Sequence, residues 1–216
     1  MTDMKPPRSA AEWDALYGSV SEFFSGAPNP SLIDEAGALP PGRALDVGCG
    51  EGADAVWLAR RGWEVTGLDV SQVALDRAAA RAATAGVQVS WVHAGVVGAA
   101  LPPDSFDLVC AQYPALHSSA GRDSERALVD LVAPGGRLLM VYHAGFDGKA
   151  AKARGIDPAD YVQPADMVTV LLGGDWHISI DTLRPRKAPA DDAEHHFSHD
   201  VILRAQRTAE NGSTAT

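Results

Sequence analysis

An α/β fold built on a mostly parallel sheet is predicted by three observations. Short β-rich runs alternate with helical periodicity through the middle of the chain. The first strand, Ala44 to Val47, enters a turn of alternating glycines, Gly48-Cys49-Gly50-Glu51-Gly52, which opens a helix. Two late alternating runs, Trp176 to Leu183 and Asp200 to Gln206, are joined by the polar stretch Arg184 to His199 and read as an antiparallel hairpin. The predicted architecture is a Rossmann-like, seven-stranded mixed sheet with helices on both faces and an antiparallel last strand.

Each element has its own signal. Ser9 to Phe24 reads as a helix with Trp13, Leu16, Tyr17, Val20 and Phe24 near one face. Ser25-Gly26-Ala27-Pro28-Asn29-Pro30 is a break, and Leu39-Pro40-Pro41-Gly42 is the joint before the first strand. The glycine turn leads into a helix from about Gly52 to Arg61, stopped by Gly62. Trp63 to Leu68 is the second strand. Ser71 caps an alanine-rich helix that ends near Ala85-Gly86. Val87 to Val92 is the third strand, and Phe106 to Ala111 the fourth. A helix from Arg122 to Leu131 precedes the fifth strand, Arg137 to Tyr142. Pro164 opens a short helix through Leu172. The expected organisation is a helical lid over residues 1–38 and a single α/β domain over residues 39–216.

Composition narrows the partners. A chain of 216 residues with 46% apolar residues suits one domain with a substantial core. A net charge of −10 argues against nucleic acid and anionic membranes, which reward a basic face. No apolar run approaches the ~18 residues of a spanning helix. The two cysteines, Cys49 and Cys110, fit a reduced cytoplasm better than a disulfide framework. The expected state is a cytoplasmic monomer or homodimer.

The glycine turn suggests nucleotide chemistry. Glycines allow positive φ and close backbone approach, and free N–H groups at a helix start face the ligand. Asp69 closes the next strand, near the ~20-residue offset of a ribose-binding acid. Gly48-x-Gly50-x-x-Ala53 also meets the relaxed dinucleotide fingerprint, so a nicotinamide-dependent oxidoreductase is one reading. Against it stands Asp46, an anion inside the first strand, where a ligand bearing an ammonium group would use it. Two further segments carry the argument: Ser105-Phe106-Asp107-Leu108-Val109 and Ala133-Pro134-Gly135-Gly136-Arg137-Leu138-Leu139.

Together these motifs resemble the class I S-adenosylmethionine-dependent methyltransferases, over about Arg43 to Val141. The turn Ser25-Gly26-Ala27-Pro28-Asn29 is similar to an N-terminal segment of small bacterial members, including the tellurite-resistance and thiopurine types. The resemblance implies methyl transfer from S-adenosylmethionine to an O, N or S nucleophile of a small molecule, leaving S-adenosylhomocysteine. It implies that Asp46 positions the methionine ammonium. Gly48, Cys49, Gly50 and Gly52 then pass close to the cofactor, Asp69 accepts the ribose hydroxyls, and Val70 flanks the adenine. Relatives place an acid after the third strand to accept the adenine amino group. Here Gly95 stands there, beside Val96, which leaves open a non-catalytic relative. A lost charged hydrogen bond costs about 1.5–3 kcal/mol if nothing replaces it.

Ligands of open α/β sheets bind beyond the carboxyl ends of the strands. Gln112 is therefore expected at the cofactor, and Tyr113 and His117 at the acceptor. His117 and His143 are the candidate bases. Trp13 and Tyr17 are candidate acceptor walls on the lid. His195, His196 and His199, with Asp191, Asp192 and Glu194, read as a solvated loop, and no metal is expected. A sulfonium is already an activated leaving group.

Overall fold

The computed structural model describes residues 9–144, 149, 152, 157–186 and 198–209. Seven strands form one sheet: β1 Arg43–Val47, β2 Glu64–Asp69, β3 Ser90–His93, β4 Phe106–Gln112, β5 Val132–His143, β6 Trp176–Pro185 and β7 His199–Arg207. Their order is β3-β2-β1-β4-β5-β7-β6. The strands from β3 to β5 pair in parallel, and β7 lies antiparallel to both β5 and β6. This is the expected mixed sheet. The dinucleotide order 3-2-1-4-5-6 has no such antiparallel insertion.

The helices are α1 Ala10–Gly18, α2 Pro30–Ala36, α3 Ala53–Arg60, α4 Gln72–Ala85, α5 Asp123–Leu131 and α6 Pro164–Leu171. Side chains alternate across the sheet, so each strand feeds two cores. Leu45, Val109, Leu138, Met140 and Leu203 pack with Leu128 of α5 and Met167 of α6 on one face. Ala44, Leu108, Cys110, Leu139 and Ile202 pack with Leu32 of α2 and Leu58 of α3 on the other. Burying one such leucine contributes about 1.5–3 kcal/mol, so both faces hold the sheet.

Local chemistry explains the boundaries. Ser71 accepts the Ala74 N–H at the start of α4, and Gly86 ends that helix in the left-handed region at φ +69°. Two expectations need correction. The first helix does not run to Phe24 but stops at Gly18, because the Tyr17 and Val20 carbonyls accept from the Arg77 guanidinium at 2.8 and 2.5 Å. The break at Pro28-Asn29-Pro30 hides α2, in which Pro30 sits at the first helical turn and Leu32 and Ala36 face the core. Two strand limits also differ. β3 begins at Ser90 rather than Val87. β5 begins at Val132 and carries Gly135 at φ +79°, beside a register shift against β4.

Candidate functional site

A cavity of about 770 Å³ opens beyond the carboxyl ends of β1, β2, β4 and β5. Its floor is the turn after β1. There the Gly48 and Cys49 N–H groups both donate to the Leu68 carbonyl, at 2.8 and 3.1 Å, which folds the turn against β2. Gly48 has φ +70°, and a Cβ built on it meets nothing within 4 Å. Gly50 has φ +49°, and its Cβ would lie 2.9 Å from the Tyr17 hydroxyl. Cys49, between them, also lines the cavity and is buried.

Gly52 departs from expectation. It is absent from the cavity wall, and a Cβ there would come within 2.7 Å of Ala78 Cβ and 3.0 Å of the Trp91 ring. This glycine lets the start of α3 pack on α4.

Of the four buried carboxylates in the cavity wall among the described residues, Asp46 and Asp69 stand on β1 and β2, and Glu51 and Asp54 follow β1. Asp46 is 2% exposed, and its Oδ2 has no hydrogen-bond partner among the described residues. Burial pushes its carboxyl well above the ordinary range, and the charges of Asp54 and Asp69 add to this. Asp69 accepts the Gly50 N–H at 2.8 Å and the Ser71 N–H at 2.9 Å. Burial raises its carboxyl, and these N–H groups counter part of the rise. Val70, Gly95 and Val96 form the adjoining wall. A Cβ on Gly95 would meet only Val70 Cγ1, at 3.6 Å. Gln112, at the end of β4, lines the cavity with both amide atoms buried and without hydrogen-bond partners among the described residues.

The segment after α1 forms the cavity's other side. Trp13, Tyr17, Phe23 and Phe24 line it as a chain of tilted ring contacts, with centroids 4.9 to 6.0 Å apart. Four side chains that sequence reasoning missed pin it down. Glu51, 3% exposed, accepts the Phe23 and Phe24 N–H groups and pairs with Arg77 at 2.8 Å. Burial alone would raise the Glu51 carboxyl, but Phe24, Arg77 and Phe23 together hold it below the ordinary range. Asp54 accepts both the backbone and side-chain N–H of Asn29, each at 2.7 Å. Arg81 donates to the Glu51 and Gly26 carbonyls. An acid inside a glycine turn was the one available signal for Glu51. Nothing local marks the others.

The two candidate bases separate. His117 is exposed, stacks on Tyr161 at 5.0 Å and does not line the cavity, so the expectation for it fails. A short antiparallel bridge pairs its backbone with Tyr161. His143 lies at the end of β5 in the cavity wall, stacked on Tyr113 with centroids 4.2 Å apart and planes at 18°. Tyr113 donates to Asp200 at 3.0 Å, and the Arg186 guanidinium lies 5.0 Å from its ring. Neither Asp200 nor Arg186 was expected at the site. Among the described residues no group of His, Cys, Asp or Glu is placed to hold a metal ion. His195 and His196 lie outside the described residues.

Known proteins are similar to this chain in sequence and in fold. Residues 44–136 match the methyltransferase-domain family. An uncharacterized methyltransferase of Mycobacterium tuberculosis is 39% identical over 111 residues, covering 51% of this chain and 55% of that protein. A ubiquinone biosynthesis O-methyltransferase of Aeromonas salmonicida is 34% identical over 110 residues, 50% of this chain and 46% of that protein. The chain therefore spans about half the length of these curated relatives. A structure from work on conversion of a disulfide bond into a thioacetal group during echinomycin biosynthesis superposes with a TM-score of 0.69, 27% identity and 94% coverage of both chains. A geranyl diphosphate C-methyltransferase from Streptomyces coelicolor, solved with S-adenosyl-L-homocysteine, shares the fold at a TM-score of 0.65 and 17% identity, over 82% of this chain and 74% of that one.

Proposed function

We propose that the chain, whose residues 44–136 match the methyltransferase-domain family, is a class I S-adenosylmethionine-dependent methyltransferase that methylates a small-molecule nucleophile. The observation that carries this reading is the pairing of unmet polar groups with open backbone in one cavity. Asp46 Oδ2 and the Gln112 amide are buried without hydrogen-bond partners among the described residues, beside a Gly48 whose missing Cβ leaves space. Such groups are costly unless a ligand satisfies them.

S-adenosylmethionine, when bound, supplies a methyl group on an activated sulfonium. In this reading Asp46 and Gln112 take its amino-acid end, with Gly48, Cys49 and Gly50 passing beneath it. Asp69 takes the ribose hydroxyls through the lone pairs left beside its two N–H contacts. Val70, Gly95 and Val96 flank the adenine, whose amino group finds no acid at residue 95. The three raised carboxylates Asp46, Asp54 and Asp69 favour a cationic ligand. Trp13, Tyr17, Phe24 and Tyr113 wall the acceptor chamber and exclude water, with His143 as its base. Residues 1–38 act as the lid. The net charge of −10 supports a small-molecule acceptor over nucleic acid, and two buried free cysteines support a cytoplasmic setting.

Isothermal calorimetry with S-adenosylhomocysteine tests cofactor binding, and its release from S-adenosylmethionine across a panel of phenols, amines and thiols tests transfer. Binding without release from any acceptor would favour the non-catalytic relative that Gly95 raised.

A further inference from the structure

The wall opposite the glycine turn holds a built acid–base arrangement. Asp200, the second residue of β7, lies directly across the ladder from His143 and is 1% exposed. Its Oδ2 accepts the Tyr113 hydroxyl at 3.0 Å and the Ser31 hydroxyl at 3.3 Å. Its Oδ1 lies 4.0 Å from His143 Nδ1 and accepts no hydrogen bond among the described residues. The imidazole plane is set by its stack on Tyr113. Tyr113 itself stands at φ +50°, a conformation that costs a non-glycine residue on the order of 1–3 kcal/mol. Burial, then the Asp200 charge, pushes the Tyr113 phenol up, so it serves as a donor to Asp200 and not as a base. Among the described residues, the groups facing His143 from its neighbours include Asp200, Tyr113 and, over the Tyr113 ring, Arg186.

We propose that Asp200 is a positioning residue for His143, and that the pair exists to deprotonate a compact phenolic acceptor. The inference rests on the methyltransferase reading above. A thiol ionises near pH 8.5 without help, whereas a phenol near 10 requires a base at neutral pH. A carboxylate buried behind an imidazole favours its protonated form, which helps an acceptor of the second kind more than one that is already ionised. The aromatic rings of Trp13, Tyr17, Phe24 and Tyr113 suit a planar substrate. In the step, the acceptor O–H bond breaks and its proton passes to the imidazole. The oxygen pair forms the new O–CH₃ bond as the S–CH₃ bond breaks, with that bonding pair going to sulfur. Asp200 steadies the imidazolium until it returns the proton to water.

The test measures S-adenosylhomocysteine release from S-adenosylmethionine with phenol, catechol and thiophenol, for the parent, Asp200→Asn, His143→Gln and Tyr113→Phe. Calorimetric affinity for S-adenosylhomocysteine and melting temperature are measured in parallel. The expected result is turnover of a phenol that falls ~10²–10⁴-fold in His143→Gln and about tenfold or more in Asp200→Asn, with cofactor affinity unchanged in both. The acid limb of the kcat profile should also move to lower pH in Asp200→Asn, because the charge that favours the imidazolium is gone. A merely structural aspartate would not move that limb. Should Asp200→Asn fail to fold, Tyr113→Phe carries the test: it keeps the carboxylate, and should keep the limb in place while lowering kcat a few-fold. Normal turnover in His143→Gln, an unmoved limb in a folded Asp200→Asn, or methylation of thiophenol alone would overturn the proposal. If the parent binds S-adenosylhomocysteine but methylates no phenol, the proposal fails alone. If it does not bind, the methyltransferase reading fails with it.

Discussion

At the scale of single residues, the cavity wall divides into polar groups satisfied by the protein and groups, such as Asp46 Oδ2 and the Gln112 amide, that have no hydrogen-bond partner among the described residues. Asp69 is of the first kind, since its oxygens hold the Gly50 and Ser71 N–H groups, yet these oxygens keep lone pairs free. Removing it with Asp69→Ala should weaken S-adenosylhomocysteine by about 10- to 150-fold, the equivalent of ~1.5–3 kcal/mol for a charged hydrogen bond. Unchanged affinity by calorimetry would refute the ribose assignment. Gly95 tests the adenine end. Its missing Cβ would contact only Val70 at 3.6 Å, so Gly95→Asp should fold normally and tighten S-adenosylhomocysteine by roughly tenfold if the acid reaches the amino group. Weaker binding would mean that the pocket holds adenine another way. Asp46, Asp69 and Gln112 were legible because strand, turn and strand end fix their positions through local spacing. The packing of Gly52 was not legible, since its constraint comes from Ala78 and Trp91, which no local pattern ties to it. His117 and His143 were indistinguishable in sequence. Only the pairing of β5 with β7 sets one beside a buried carboxylate.

At the scale of elements, the cover over the cavity is held by charges on the elements beneath it. The Phe23 and Phe24 N–H groups end on Glu51, and Arg77 caps the chain leaving α1. Glu51→Gln should loosen this segment: amide exchange at Phe23 and Phe24 should rise about tenfold, with α5 unaffected. Equal protection in variant and parent would show that aromatic packing alone holds the cover. The same contact sets a pH dependence. The Glu51 carboxyl is held below its ordinary value of 4.5, so its contribution is complete above that value and is lost as pH falls through the lower folded one. Exchange at Phe23 and Phe24 should therefore be flat near neutrality and, corrected for intrinsic rates, rise only in acid. α4 was legible end to end because Ser71 and Gly86 lie inside the pattern they terminate. The end of α1 was not, because its carbonyls are satisfied by Arg77, 60 residues away in sequence.

At the scale of the whole molecule, the sheet order places every ligand-facing group at one end. β1 and β4 are adjacent in space though β2 and β3 intervene in sequence, and that crossover opens the cleft the glycine turn fills. The alternation of strands and helices, and the closing hairpin, made the mixed seven-stranded sheet readable before any contact was known, while the strand order came only with the pairing. A ligand that binds only the folded chain must stabilise all of it. S-adenosylhomocysteine at 100 times its Kd should add ~2.7 kcal/mol, which for a chain of this size raises Tm by about 5–11 °C. An unchanged Tm at saturation would exclude specific binding to the native state. The most direct test of the central claim is a calorimetric titration of the purified chain with S-adenosylhomocysteine and, separately, with NAD. The account predicts one-site binding of S-adenosylhomocysteine and none of NAD; binding of NAD, or no heat with S-adenosylhomocysteine, would contradict it.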